Sequence, residues 1–336
     1  MPPRRRQDTQ PDLFGGPPPR DAVDPMGVDD ELRALAGRLP PGLALGTSSW
    51  SFPGWEGIVY AGPHTESQLA RKGLAAYARH PLLRAVGIDR TFYSPIAAGD
   101  FRRYAEAVPA NFRFLVKAHS ALTMPAEQRQ RWGEASPAGR DLFLDVQHAC
   151  DQVIAPAMAG LGAKCGAIVF QFPPLGTVAR DPARFAGRLF TFLDALPRGP
   201  VYAVEIRNHE LIGKDYAEAL RRAGVVHCYN VHARMPSIAE QRRQLGDPPP
   251  GRPVVARWML HAGFEYEEAK ERYAPFSRLV DPDPASRSDL ANLAVDALHI
   301  GRPTLIIANN KAEGSAPLTL IELARLIDAR RPGAVA

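Results

Sequence analysis

From Leu43 onward the chain alternates short apolar runs with longer segments whose apolar residues recur at helical spacing. The runs are Leu43 to Ser48, Ala85 to Thr91, Phe112 to Ala118, Ala167 to Phe172, Val201 to Arg207, Val225 to Val231, Val254 to Leu260 and Pro303 to Asn310. Each has the length of a buried strand. Between and after them, Glu66 to His80, Gly99 to Val108, Gly139 to Leu161, Pro182 to Leu196, Lys214 to Ala223, Ser237 to Leu245, Ser286 to His299 and Pro317 to Ala329 predict helices. Gly or Pro closes many of these, as at Gly162, Pro197 and Gly224. Eight strand and helix units predict an α/β fold of the (β/α)8 TIM-like barrel type, since a doubly wound sheet more often has roughly five to seven strands. The sixth unit is the weakest, because Gly246-Asp247-Pro248-Pro249-Pro250-Gly251 interrupts its connection to the next strand.

Upstream of the barrel, Asp29 to Leu39 predicts a short helix, with acidic residues in its first turn and Leu32, Leu35 and Leu39 at helical spacing. Residues 1–27 are rich in Arg and Pro and poor in aliphatics, so they predict a disordered tail in front of one barrel domain over 28–332. A length of 336 residues with 45% hydrophobic content suits one large core. No run approaches the roughly 18 to 20 apolar residues of a membrane span, and the first residues lack a signal-peptide core. A cytoplasmic protein without a membrane partner is expected. Cys150, Cys165 and Cys228 lack the paired spacing of zinc or redox motifs and are read as small buried hydrophobes. The net charge of +5 suits an anionic partner, although Arg4-Arg5-Arg6 carries part of it.

Polar residues inside the strands change the picture from fold to chemistry. In Val201 to Arg207, alternation puts Glu205 and Arg207 on one face, and charges in an otherwise buried strand require pairing or an opening. Inside a barrel strand, a charge is most easily accommodated inward at the carboxyl-terminal mouth. The same argument gathers Lys117 from the third strand, Gln171 from the fourth, Arg257 from the seventh, and Asn309 and Asn310 from the eighth. The second strand is expected to carry Asp89, with Thr91 on its face and Tyr93 just beyond; the sixth puts His227 and Tyr229 on one face and Asn230 on the other.

These residue types allow several chemistries. Lys117, one of only six lysines, is either a structural ion-pair partner of Glu205 or Asp89, or a proton-transfer group, Schiff-base amine or anion ligand. Glu205 and Arg207 could equally be an internal salt bridge that holds the barrel closed. His227, His232 and His261 show no zinc-motif spacing, so no metal site is assigned. Without a dinucleotide glycine fingerprint or a phosphate loop of the Walker type, no cofactor is identified. The loop Gly46 to Trp55 holds two tryptophans, and Trp50 or Trp55 either caps the mouth or stacks on a flat or sugar-like ligand. The start of the last helix, after Lys311 to Ala316, occupies the usual phosphate position of such barrels.

Taken together, Gly46-Thr47-Ser48-Ser49-Trp50-Ser51-Phe52-Pro53-Gly54-Trp55, Thr91-Phe92-Tyr93, Phe112 with Val116-Lys117-Ala118, Phe170-Gln171-Phe172-Pro173-Pro174, Val204-Glu205-Ile206-Arg207, Arg257 and Asn309-Asn310 resemble the domain of unknown function 72 family, also called YecE-like, over about residues 43 to 330. The resemblance implies a TIM-like barrel with shared polar residues around the carboxyl-terminal mouth, and no settled activity. Three departures stand out. Gly87-Ile88-Asp89 replaces the family's Glu-Ile-Asn, Asn208-His209-Glu210 lacks its tryptophan, and Trp258-Met259 replaces the His-Gly that follows the seventh-strand arginine.

The expectation is an enzyme acting on a small polar or anionic substrate. Glu205 would serve as general base or acid, Lys117 as its partner, Arg207 and Arg257 as anion ligands, and Asp89 and Asn309 as orienting groups; Asn310, Trp50, Tyr93 and Gln171 complete the binding set. The alternatives are a nucleic-acid-binding or nuclease-like barrel and a pocket that binds a ligand without turning it over.

Overall fold

The apolar runs pair with one another in chain order. β1 (Leu43–Thr47), β2 (Leu83–Ile88), β3 (Arg113–Lys117), β4 (Cys165–Phe172), β5 (Tyr202–Ile206), β6 (Val226–Val231), β7 (Val254–Trp258) and β8 (Thr304–Ala308) form a closed parallel barrel in this computed structural model, which describes residues 22–131 and 140–331. Alternation sorts the side chains. One face of the strands, including Leu115, Val169, Ala203, Cys228, Val255 and Ile307, fills the interior. The other face, with Phe114, Phe170, Val204 and Tyr229, packs under the helices in a larger core.

Closure needs the first and last strands to meet, and β1 pairs with β8 along its whole length. On its other side β1 shifts register between Leu45 and Gly46 against β2, and a side chain at Gly46 would place its Cβ 2.0 Å from the Ala85 carbonyl oxygen. Above the barrel, Trp55 donates through Nε1 to Asn310 Oδ1 at 3.1 Å, and the same oxygen accepts from the Ala316 amide at 2.9 Å. One amide side chain thus ties the first loop to the start of the last helix, Ala316–Arg330.

Several elements differ from expectation. The second strand ends at Ile88, and Arg90–Tyr93 is a helical turn. There the Thr91 hydroxyl lies 2.8 Å from the Ile88 carbonyl and 2.6 Å from that of Lys117, so it bonds backbone instead of lining a strand face. The helix expected over Glu66 to His80 breaks at Gly73 into Glu66–Lys72 and Leu74–Tyr77, and the break needs glycine, since a Cβ there would lie 2.7 Å from the Leu69 oxygen. The segment expected from Gly139 begins its helix at Val146, where Asp145 accepts from the His148 amide, and then passes through a π turn at Cys150–Ile154. A helix not expected at all occupies Tyr266–Tyr273. Of the tail expected over 1–27, residues 1–21 lie outside the described residues. Asp24 to Met26 are held: the Met26 amide donates to the Val59 carbonyl, the Asp24 carbonyl accepts from the Ala61 amide, and Pro25 forms an antiparallel bridge with Tyr60. No helix among the described residues is long and apolar enough to cross a membrane. The three cysteines are free, and Cys228 is buried in the barrel interior.

Candidate active site at the carboxyl-terminal mouth

Along each strand the inward residues are apolar at mid-barrel and polar at the carboxyl-terminal end. β3 runs Leu115 then Lys117, β4 runs Val169 then Gln171, β5 runs Ala203 then Glu205, and β7 runs Val255 then Arg257. Gln171 sits beside Glu205 in register, and Asn230 beside Arg257. Over this layer lies a cavity of about 360 Å³. Asp89, Phe92, Tyr93, Lys117, Gln171, Pro173, Pro174, Arg207, His232, Arg257, Met259, Leu260, Tyr266 and Asn309 line it. That volume is at the small end of ligand pockets, so a metabolite-sized occupant fits.

Glu205 is fully buried beneath the cavity and does not line it. Its Oε1 accepts from Arg207 Nε at 3.1 Å and Nη2 at 3.0 Å, and its Oε2 accepts from Arg257 Nη1 at 2.5 Å. The second terminal nitrogen of Arg257 reaches Asp89 Oδ1 at 3.4 Å, while its Nε, also buried, has no partner among the described residues. Arg207 spends Nε and Nη2 on Glu205, and its side chain is 17% exposed, at the edge of the cavity. Lys117 makes no ion pair among the described residues; its ammonium stands 3.6 Å from the centroid of the Phe92 ring. The mouth therefore holds three cationic side chains against two carboxylates.

Burial by itself would raise the Glu205 carboxyl, but the Arg257 and Arg207 guanidiniums outweigh it and hold the group down at about 2. The opposite holds for Lys117. Burial lowers its ammonium to about 8, with Asp89 resisting and Arg257 adding to the fall. Burial and the nearby Arg207 lower His232 to about 4, so it enters the cavity wall as a neutral imidazole.

Of the residues expected to form a site, Asp89, Lys117, Arg207, Arg257, Asn309, Tyr93 and Gln171 meet around this one cavity. Three do not line it. Glu205 is the floor beneath. Asn310 is buried and engaged by Trp55 and Ala316. Trp50 is turned into the core, where Nε1 donates to the Leu69 carbonyl and the ring meets Tyr104 edge-on. Trp55 is fully buried as well, so neither indole offers a stacking face at the mouth. The start of the last helix is likewise closed to a phosphate, since Ser315 and Ala316 are buried and Asn310 occupies the Ala316 amide. His227 lies on the outer face of β6, between Tyr216 and Gln241, away from His232. Among the described residues no cluster of three or more His, Cys, Asp or Glu side chains could hold a metal ion.

Phe92, His232, Met259, Leu260 and Tyr266 line the cavity without having been assigned a place there. Phe92 sits beside Tyr93 on a helical turn just past the expected strand end at Thr91, and Tyr266 opens the unexpected helix.

Comparison with known proteins agrees with this architecture. The family model described as "Protein of unknown function DUF72" matches residues 44–335. A DUF72 family protein from Thermotoga maritima is similar in structure, with 19% identity, 85% of this chain and 99% of that chain covered, and a TM-score of 0.56. A DUF72 family protein from Enterococcus faecalis is similar at 18% identity, with 85% and 95% covered and a TM-score of 0.55. At such identities the likeness shows the fold alone. No curated protein matches.

Proposed function

Because the chain belongs to the DUF72 family, whose description prescribes no reaction, we propose from the geometry of the mouth that it is an enzyme acting on a small anionic substrate, with Lys117 as the group that exchanges a proton. The observation that carries this is the position of the Lys117 ammonium. It is nine-tenths buried, lines the cavity, and rests on the Phe92 ring where a structural lysine would sit against a carboxylate. A lysine held in this way delivers and accepts protons near neutral pH far more readily than a solvated one.

The expected roles are accordingly redistributed. Glu205, pinned between two guanidiniums, is a poor acid or base; it fixes the arginines in place. Arg207 presents its remaining nitrogen to the anion, and Asp89, 31% exposed, is placed to relay protons to solvent. The cavity volume favours a metabolite over a nucleic-acid strand.

The test is a thermal-shift titration with phosphate, sulfate and malonate on the wild-type chain and on Arg207→Met. Stabilisation of the wild type that disappears in the variant is the expected result. No shift with any of the three anions, or an equal shift in both proteins, would remove the basis for an anionic substrate.

A further inference from the structure

Resting on that reading of the mouth, we propose that Lys117 forms a Schiff base with the carbonyl carbon of a small oxo compound that bears a carboxylate on the carbonyl carbon or a phosphate on the carbon beside it. Four observations meet in this one cavity. The amine is the only lysine on its wall, and no carboxylate among the described residues pairs with it. The face of the Phe92 ring holds the ammonium in place, so no carboxylate has to be displaced before the amine is freed. Arg207 has a guanidinium nitrogen to spare for the anionic end of the ligand, and Arg257, itself 1% exposed, keeps an unpartnered Nε behind it. Asp89 stands at the same wall with Oδ1 only loosely held by Arg257 at 3.4 Å, so it can pass protons during dehydration.

The step balances without a co-reactant. Lys117 gives up one proton, which reaches Asp89 through an intervening water, and the freed Nζ lone pair attacks the carbonyl carbon as the C=O π electrons move to oxygen. That oxygen takes the proton back from Asp89 to give a carbinolamine. A second N–H proton then passes to the hydroxyl by the same carboxylate; the C–O bond breaks, water leaves, and a protonated C=N bond remains. Ammonium plus carbonyl becomes iminium plus water, so the net charge of the cluster does not change. The iminium then withdraws electrons from the adjacent carbon, which is what makes proton removal or carbon–carbon cleavage there accessible.

The experiment is reductive trapping on the full chain. Pyruvate supplies the carboxylate form of the ligand and dihydroxyacetone phosphate the phosphate form, each with and without sodium borohydride, followed by intact mass and peptide mapping. One adduct per chain on Lys117 with either compound is expected, and which compound labels decides between carboxylate and phosphate. Lys117→Arg, with an unchanged circular-dichroism spectrum, should reduce labelling to the level of borohydride-treated protein without ligand. Acetaldehyde, which has no anion, should label Lys117 far less than the preferred compound.

The proposal is overturned if neither compound labels Lys117 above that control, or if adducts spread evenly over surface lysines such as Lys72 and Lys270. If trapping fails while anions still stabilise the wild type and not Arg207→Met, covalent chemistry is wrong and the anion site stands. If both fail, the functional reading of the mouth falls with it.

Discussion

The two ends of the barrel are made by the same eight strands and enclose comparable spaces with opposite contents. At the amino-terminal end a cavity of about 410 Å³ is walled by Leu43, Ala44, Val201, Leu305 and several prolines. Its charged residues, Arg84 and Arg113, donate to backbone carbonyls: Arg84 to Ala36 at 3.1 Å, Arg113 to Ala110 and Phe112 at 3.1 and 3.0 Å. Cys165, also on that wall, has a thiol pushed up by burial to about 12 and is inert as a nucleophile. At the other end the cavity is smaller, yet it holds ionised groups of both signs and an amine shifted toward neutrality. Strand β3 shows the contrast within five residues, since it starts at Arg113, tied to carbonyls, and ends at Lys117, which is not. Volume alone would favour the amino-terminal cavity; what separates the two is whether charge is already spent on the protein's own backbone.

The sharpest way to break this comparison is to remove the anchor at the charged end. Glu205→Ala leaves Arg257 buried with only the loosely placed Asp89 for company, and a loss of about 3 to 5 kcal/mol in guanidinium-induced unfolding is expected. A loss under about 1 kcal/mol would mean the carboxylate is not what holds the guanidiniums. The wild type should also lose stability as pH falls from 4.5 toward about 2, because the unfolded chain takes up the proton that folded Glu205 refuses.

Lys117→Met has the opposite sign. It removes a desolvated ammonium, so a gain of about 1 kcal/mol is expected together with loss of any turnover; a clear destabilisation would mark Lys117 as structural. Its pH signature is separate from that of Glu205. In the folded wild type Lys117 releases its proton at about 8 and in the unfolded chain at 10.5, so this residue makes stability rise with pH between those values. Circular-dichroism melts of wild type and Lys117→Met across that window should diverge, the variant lacking the rise.

The smallest effect belongs to the amino-terminal end. Arg113→Ala loses bonds to carbonyls that water can replace, and a cost of at most about 1 kcal/mol with no change in anion binding is expected. An anion-binding defect in this variant would mean that the ligand enters from the other side.

The barrel was legible because buried parallel strands write themselves as apolar runs, and eight such runs admit few architectures. The positions of Lys117, Gln171, Glu205 and Arg257 followed from alternation alone, each lying two residues beyond an interior residue of its own strand. Their roles did not follow. That Glu205 is clasped from two sides depends on β7 bringing Arg257 across 52 positions of sequence, which no local pattern records. Asp89 was placed on a strand because the apolar run continues through it, whereas the chain turns there and Thr91 bonds the Ile88 and Lys117 carbonyls. The helix Tyr266–Tyr273 leaves no stripe in the sequence because only Ala269 and Tyr273 of its eight residues are buried. The size of Trp50 fits a cap over the mouth and a ligand platform equally, and the core claims it instead.

The Asn310 side chain bears on how the protein is made as well as how it stands. Its bond to Trp55 spans 255 residues, so the loop after β1 waits for all seven later strands before it can be fastened. Until then β1 presents an open sheet edge that only β8 can cover, the situation in which partly made chains associate with one another. Emergence of β8 from the ribosome is therefore the event that ends this exposure, and Asn310, arriving two residues behind it, acts as the latch on a ring that closes only once its eighth strand is made.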